Sequence, residues 1–195
     1  MAAFVLGNGV SRQAVDIDQL LSCGWVYGCN ALYRTHTPTV LVATDQLIAD
    51  EIQRSGYSQH NRFYTRRPLP ESGAVAITGR YRGYSSGPNA VAIAAADGHR
   101  RVYLLGFDMA PTVTGHFNNV YADTEFYKKS TDRPTFAGNW QRQLMTVFGD
   151  FPAVTFVRVA GATTADIAIF DALANYQKIH TADFLNRINT RPKDL

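Results

Sequence analysis

Cysteine is scarce in this chain: Cys23 and Cys29 are the two thiols in 195 residues. Two thiols build no disulfide framework, and no Cys/His set has the spacing of a zinc site. A reducing, cytoplasmic setting is the expectation. Long apolar runs are missing as well. The run near the start stops at Gly7, with no basic leader before it and no cleavage-type pattern behind it. Neither a secretory signal nor a membrane span is therefore expected. A dominant charge is also absent. Against 19 Lys and Arg stand 16 Asp and Glu, a formal net charge of +3. That is too little to argue for nucleic acid unless the basic residues cluster. No repeat, low-complexity tract or linker interrupts the chain, so one domain over 1–195 with a real core is expected.

What is present is a series of short apolar runs, each followed by a helix-like stretch. This alternation predicts an α/β protein with a mainly parallel sheet flanked by helices. Strands are expected at 3–6, 25–29, 39–44, 62–65, 74–78, 101–108 and 153–159, the run at 101–108 lying in the sheet centre. Helices are expected at 12–22, at 46–55, at 88–97 and at 138–148, with further helical material at the C-terminus. Asp45 is placed to cap the second of these, with Leu47, Ile48 and Ile52 on one face. Pro88 suits the first turn of the third, and Gly98 its stop. Residues 109–137 read as a long polar, irregular connection, of a length that is usually either functional or partly helical.

Three turns attract attention. The first is FVLGNGVSR, residues 4–12. Gly7 and Gly9 would bare outward-pointing amides between a strand and a helix, and Ser11 could cap that helix, an arrangement that favours a phosphate or another anion. Asn8 adds a side chain able to donate and to accept. The pattern is not the full dinucleotide fingerprint, because Arg12 stands where the last glycine would close it. A tight turn without ligand is the plain alternative. The second stretch is YSSGPNAVAIA, residues 84–94. There Ser85 or Ser86 can cap a helix and Gly87 permits close approach; the alternative is an ordinary helix start. The third is GCNALYR, residues 28–34, which offers Asn30 or merely an asparagine in a turn. In an open parallel sheet such loops gather at the carboxyl ends of the strands, where ligands bind.

Taken in order, GNGVS (7–11), GCN (28–30), SSG (85–87) and GHRRVYLLGFD (98–108) resemble the small bacterial sialyltransferases that act on lipooligosaccharide. The likeness runs from about residue 4 to residue 140. It implies a Rossmann-like nucleotide-sugar fold, a CMP-sugar or related donor, a glycan acceptor and no obligatory metal. By position it implies donor-nucleotide contacts at Asn8 and Asn30 and a sugar-facing Ser86. It implies, too, that Tyr121 in VYADT donates to the leaving phosphate as charge develops there. The wording of the chain is also similar to short proteins of tailed bacteriophages, which implies phage subunits as partners and a virion location as alternatives. Two departures stand out. Ala110 replaces a tyrosine of the family, and Asn139 falls where the family has its histidine base. An asparagine accepts no proton near neutral pH, and losing a general base costs about two to four orders of magnitude in rate.

His116, in the polar connection, is a replacement candidate for the base, against the plainer reading of an exposed loop histidine. His36 and His99 read as turn residues. Asp108 ends the central strand and reads either as an acceptor for a ribose hydroxyl or as a loop cap. Arg62, Arg66, Arg67, Arg80 and Arg82 are interleaved with Phe63, Tyr64, Tyr81 and Tyr84. That mixture suits bases and phosphates, a protein interface, or arginine stems packed on rings. Two functions stay open: a glycosyltransferase-like enzyme, and a non-catalytic relative that keeps the fold. A pterin- or nucleotide-pyrophosphate enzyme would want a magnesium-binding acidic pair, which the sequence does not place.

Overall fold

A computed structural model of the chain describes residues 2–190; Met1 and residues 191–195, the ends of the expected 1–195 domain, lie outside the described residues. The chain opens with strand β1 (Ala2–Leu6), helix α1 (Ile17–Cys23), β2 (Gly24–Cys29), β3 (Val40–Ala43), α2 (Gln46–Arg54), α3 (Tyr57–His60), β4 (Phe63–Thr65) and β5 (Val75–Ala76). It continues with α4 (Ser86–Ala96), β6 (Arg101–Leu105), α5 (Gly138–Asp150), β7 (Thr155–Ala160), α6 (Ala168–Asp171), β8 (Tyr176–His180) and α7 (Thr181–Thr190). The strands form one eight-stranded sheet in the order β5-β4-β3-β2-β1-β6-β7-β8. Every pairing is parallel. This is the expected Rossmann-like α/β sheet. Among the described residues no helix is long and apolar enough to cross a membrane.

The pleat of β1 shows how the sequence builds two cores. Successive side chains point to opposite faces. Ala3 and Val5 face a cluster completed by Ala90, Val91 and Ala94 of α4, Leu144 and Phe148 of α5, and Phe170 of α6. Phe4 and Leu6 face a second cluster with Leu20 of α1, Ile48 and Ile52 of α2, and Phe184 of α7. Each buried Val, Leu, Ile or Phe among them contributes about 1.5–3 kcal/mol relative to exposure. The small residues of α4 let it lie close to the sheet.

Several expectations are corrected. The helix expected at 12–22 is split into a tight helical turn, Val10–Ala14, and α1. Asp16 divides them: its carboxylate accepts from the amides of Asp18 (2.9 Å) and Gln19 (3.4 Å), a capping geometry that a helix interior does not offer. Asp45 stands at the N-cap of α2 with extended backbone but makes no capping bond. Leu47 is 67% exposed, so the buried face of α2 is Ile48 and Ile52 without it. Strand β6 ends at Leu105, three residues before the expected Asp108, because Gly106 turns the chain with φ +70°. Gly98 does follow α4 as its stop, at φ +91°. The missed strand is β8, an edge strand whose Gln177 and Lys178 are exposed, so it carries little apolar signal.

Candidate functional site

The strand order reverses between β1 and β6, and in open α/β sheets the crevice at the carboxyl ends of such strands is where ligands bind. The Gly-Asn-Gly turn leaves β1 at this point. Its amides do not point outward as expected. The Gly7 N–H donates to the Leu105 carbonyl at 2.8 Å and the Gly9 N–H to the Gly106 carbonyl at 2.8 Å. The Val10 amide donates to Asn118 Oδ1 (2.8 Å) and the Ser11 amide to Asp108 Oδ2 (3.0 Å). The anion that the turn attracts is the chain's own Asp108.

Each of the two glycines is explained by a close neighbour. A Cβ on Gly7 would stand 2.5 Å from the Gly106 carbonyl oxygen, and one on Gly9 would stand 2.5 Å from Asp108 Cγ. Asp108 itself is 3% exposed. Its carboxylate also accepts from Thr163 Oγ1 (2.6 Å), from Asn118 Nδ2 (3.1 Å) and from the Ser11 hydroxyl. Enclosed by protein donors, it is the loop cap of the two readings rather than a ribose acceptor. Ser11 serves Asp108 and does not cap α1.

Arg12, which sequence reasoning treated only as a break in the fingerprint, lies at the centre of the site. Its Nη1 donates to the Gly7 carbonyl (2.7 Å) and to Asn8 Oδ1 (3.4 Å), and its Nη2 to the Tyr121 hydroxyl (2.7 Å). The guanidinium carbon lies 5.1 Å from the Tyr121 ring centre. Asn8 and Tyr121 thus meet through Arg12, a residue that was not among those expected. The 118–128 segment is laid over the turn: the Val120 amide donates to the Asn8 carbonyl (2.8 Å), and the Tyr127 hydroxyl accepts from the Ala31 amide (3.3 Å). Burial pushes the Tyr121 phenol upward in pKa, and Arg12 works against that rise. Burial likewise pushes the Cys29 thiol up to about 12, again opposed by Arg12.

Beside this lies a second convergence. Asn30 adopts φ +53°, and its Oδ1 accepts from Ser86 Oγ at 2.8 Å. Ser86 Oγ in turn accepts from the Thr44 amide at 3.0 Å. The ends of β2 and β3 and the start of α4 are therefore tied together by two of the expected residues. Neither serine caps α4 through its side chain. Ser85 accepts from Trp140 Nε1 (3.2 Å) and its amide donates to Gln143 Oε1 (2.9 Å), which binds α4 to α5. Gly87 makes room for Phe107, whose ring lies 3.1 Å from where its Cβ would be.

The remaining candidates stand apart. His116 is exposed on a turn of the polar connection, with Nδ1 3.1 Å from Thr114 Oγ1. Asn139 is exposed in the first turn of α5, and its Oδ1 accepts from Arg142. Neither touches Arg12 or Tyr121 among the described residues. His99 precedes β6, at the opposite edge of the sheet, with Nε2 3.0 Å from the Tyr27 hydroxyl. An open groove of about 490 Å³ on the outer face of α2, lined by Leu47, Asp50, Glu51, Arg54, Ser55 and Phe126, holds none of the expected site residues. The arginine-aromatic stretch is largely engaged: Arg62 pairs with Asp97, Arg80 with Asp150, and Arg66 donates to the carbonyls of Gly83 and Tyr84. That favours the packed-arginine reading over a nucleic-acid surface.

No known family model matches this sequence, and no curated protein matches it. Among solved structures, the chain is similar in fold to the MAf glycosyltransferase from Magnetospirillum magneticum AMB-1, with a TM-score of 0.53 and 15% sequence identity. The match covers 99% of this chain and 37% of that one, so the chain spans well under half the length of this neighbour. The fold is glycosyltransferase-like. The finer likenesses, to sialyltransferases and to phage proteins, have no counterpart in this neighbour.

Proposed function

We propose that this chain binds a nucleotide-sugar, of the CMP-sugar or a related class, in the crevice at the carboxyl ends of β1, β2 and β6, and serves glycosyl transfer to a glycan acceptor without an obligatory metal. The observation that carries the reading is the meeting of Asn8 and Tyr121 at Arg12, beside the Asn30–Ser86 pair, at the point where the strand order reverses. These are side chains from separate turns, brought to one edge of the sheet. On this reading Tyr121 donates a hydrogen bond to a leaving phosphate, and the Asn8 and Asn30 amides suit a base or sugar edge. The fold likeness to a glycosyltransferase supports the same class. A cytoplasmic location fits a nucleotide-sugar donor.

The test is thermal melting with CMP, CDP, UDP and GDP. A stabilising shift with a cytidine nucleotide, abolished in Asn8→Ala, is expected; silence with all four refutes the reading. A second reading, a binder that keeps the fold without turnover, is favoured by one feature. The candidate base is not brought to the cluster: His116 is exposed on its own turn, and Asn139, at the place of the family's base, faces Arg142. Labelled-donor hydrolysis separates the two. Release of free sugar that depends on Tyr121 favours the enzyme, and binding without release favours the binder.

A further inference from the structure

Among the described residues the ion pairs join Arg34 to Glu51, Arg54 to Asp50, Arg62 to Asp97, Arg80 to Asp150 and Lys178 to Asp166. Arg12 is in none of them, although it is only 7% exposed. Its three acceptors are neutral: a carbonyl, an amide oxygen and a phenol. A charge withdrawn from water without a counter-charge is costly, so such a cation invites an anion. Arg158 makes the contrast. It is also buried without a carboxylate, but its Nε and both terminal nitrogens donate to the carbonyls of Phe107 (2.8 Å), Ala165 (2.7 Å) and Asp108 (3.0 Å). Arg158 is fully engaged in holding two turns together. Arg12, by comparison, shows no hydrogen bond from Nε among the described residues, and its partners Asn8 and Tyr121 are half-buried rather than sealed.

The direction of the hydrogen bonds adds chemistry. A guanidinium only donates. Tyr121 therefore accepts from Arg12, and its own O–H hydrogen is turned to another acceptor. Asn8 likewise presents its oxygen to Arg12 and its NH₂ elsewhere. What the cluster offers a ligand is a set of donors around one guanidinium that forms no ion pair among the described residues, which suits phosphate oxygens.

We propose that Arg12 is the positioning residue of an anion subsite, holding Tyr121 as a hydrogen-bond donor and supplying the counter-charge for a ligand phosphate. This deepens the nucleotide-sugar reading and rests on it for the identity of the ligand, while the anion subsite itself can be tested without a base or sugar.

The experiment titrates inorganic pyrophosphate, and separately CMP and cytidine, into the wild type, Arg12→Gln, Arg12→Lys and Tyr121→Phe, with melting curves taken first without ligand. The wild type is expected to bind pyrophosphate with an affinity that falls as salt rises. Arg12→Gln should lose about 10- to 100-fold, the equivalent of one charged hydrogen bond, and Arg12→Lys should retain more than Arg12→Gln. A purely structural arginine would show neither the salt dependence nor the rescue by lysine. A folded wild type that ignores pyrophosphate, or a folded Arg12→Gln that binds it unchanged, overturns the proposal. Should Arg12→Gln fail to fold, the wild type decides: CMP bound no more tightly than cytidine overturns it. Arg12-dependent binding of pyrophosphate to which nucleotides add nothing would uphold the subsite and refute the nucleotide reading.

Discussion

Truncating Asp108 should unsettle the whole sheet rather than merely weaken a ligand. Its carboxylate accepts from the Ser11 amide (3.0 Å), Thr163 Oγ1 (2.6 Å), Asn118 Nδ2 (3.1 Å) and the Ser11 hydroxyl, at 3% exposure. In Asp108→Ala the two hydroxyls can rotate toward other partners, but the Ser11 amide and the Asn118 NH₂ cannot. Leaving those two neutral donors without a partner costs about 1–3 kcal/mol each, about 2–6 kcal/mol together. For a chain of this size that lowers the melting temperature by about 10 °C. Asp108→Asn separates charge from shape. With its oxygen at the Oδ2 position, the amide keeps the Ser11 amide, Thr163 and Asn118, and its NH₂ can donate to the Ser11 hydroxyl. The expected cost is about 1–2 kcal/mol, the difference between charged and neutral hydrogen bonds. Equilibrium urea unfolding followed by tryptophan fluorescence measures both. An Asp108→Ala protein within about 1 kcal/mol of wild type, a change typical of surface sites, would refute the internal-cap account and restore Asp108 as a ligand group. An Asp108→Asn protein as damaged as Asp108→Ala would refute the geometry.

Two further outcomes follow from other parts of the fold. At pH 8 a thiol reagent should label the partly exposed Cys23 and spare the buried Cys29, whose pKa is pushed up to about 12, until the chain is unfolded; rapid labelling of both thiols in the native protein would contradict the buried β2 end. Glu51 is pushed up in pKa by partial burial, but hydrogen bonds from Tyr33 and Arg34 outweigh this and hold it below the usual carboxylate value. A folded-state value below the unfolded one contributes stability that is present above about pH 4.3 and fades as pH falls toward the folded value. Glu51→Gln should therefore flatten the acid side of the stability profile and converge with wild type at low pH. Parallel profiles from pH 6 to 3 would rule out this coupling.

The sheet was legible because each central strand is buried on both faces and so is written as an unbroken apolar run: AFVL, WVYGC, TVLVAT and RVYLL need no partner to be seen. Strand β8 escaped for the opposite reason. As an edge strand with Gln177 and Lys178 in water, it has the composition of a loop. Asp16 shows a third case. It is compatible with a helix interior in one dimension, and only its bonds to the Asp18 and Gln19 amides show that a new helix begins there.

The site was legible as a meeting of turns but not in its internal accounting of charge. Gly-Asn-Gly reads as a place for an anion, yet no local pattern says that its glycine amides go to carbonyls and that the Ser11 amide takes a carboxylate 97 residues away. Because the Gly7, Gly9, Val10 and Ser11 amides are taken by the Leu105 and Gly106 carbonyls, Asn118 and Asp108, a ligand in this crevice must be recognised largely by side chains instead. That shifts the weight to Arg12, Asn8 and Tyr121. Arg12 was visible in the sequence only as the residue that spoils a glycine fingerprint. The same substitution that removes the glycine places a cation one helical turn beyond Asn8, where its Nη1 reaches back to the Gly7 carbonyl and its Nη2 across to Tyr121. A chain that closes much of its own phosphate-type turn and then buries an arginine outside any ion pair among the described residues has exchanged backbone recognition for side-chain recognition. Ligand affinity should accordingly follow the charge at position 12 more closely than any backbone amide of the turn.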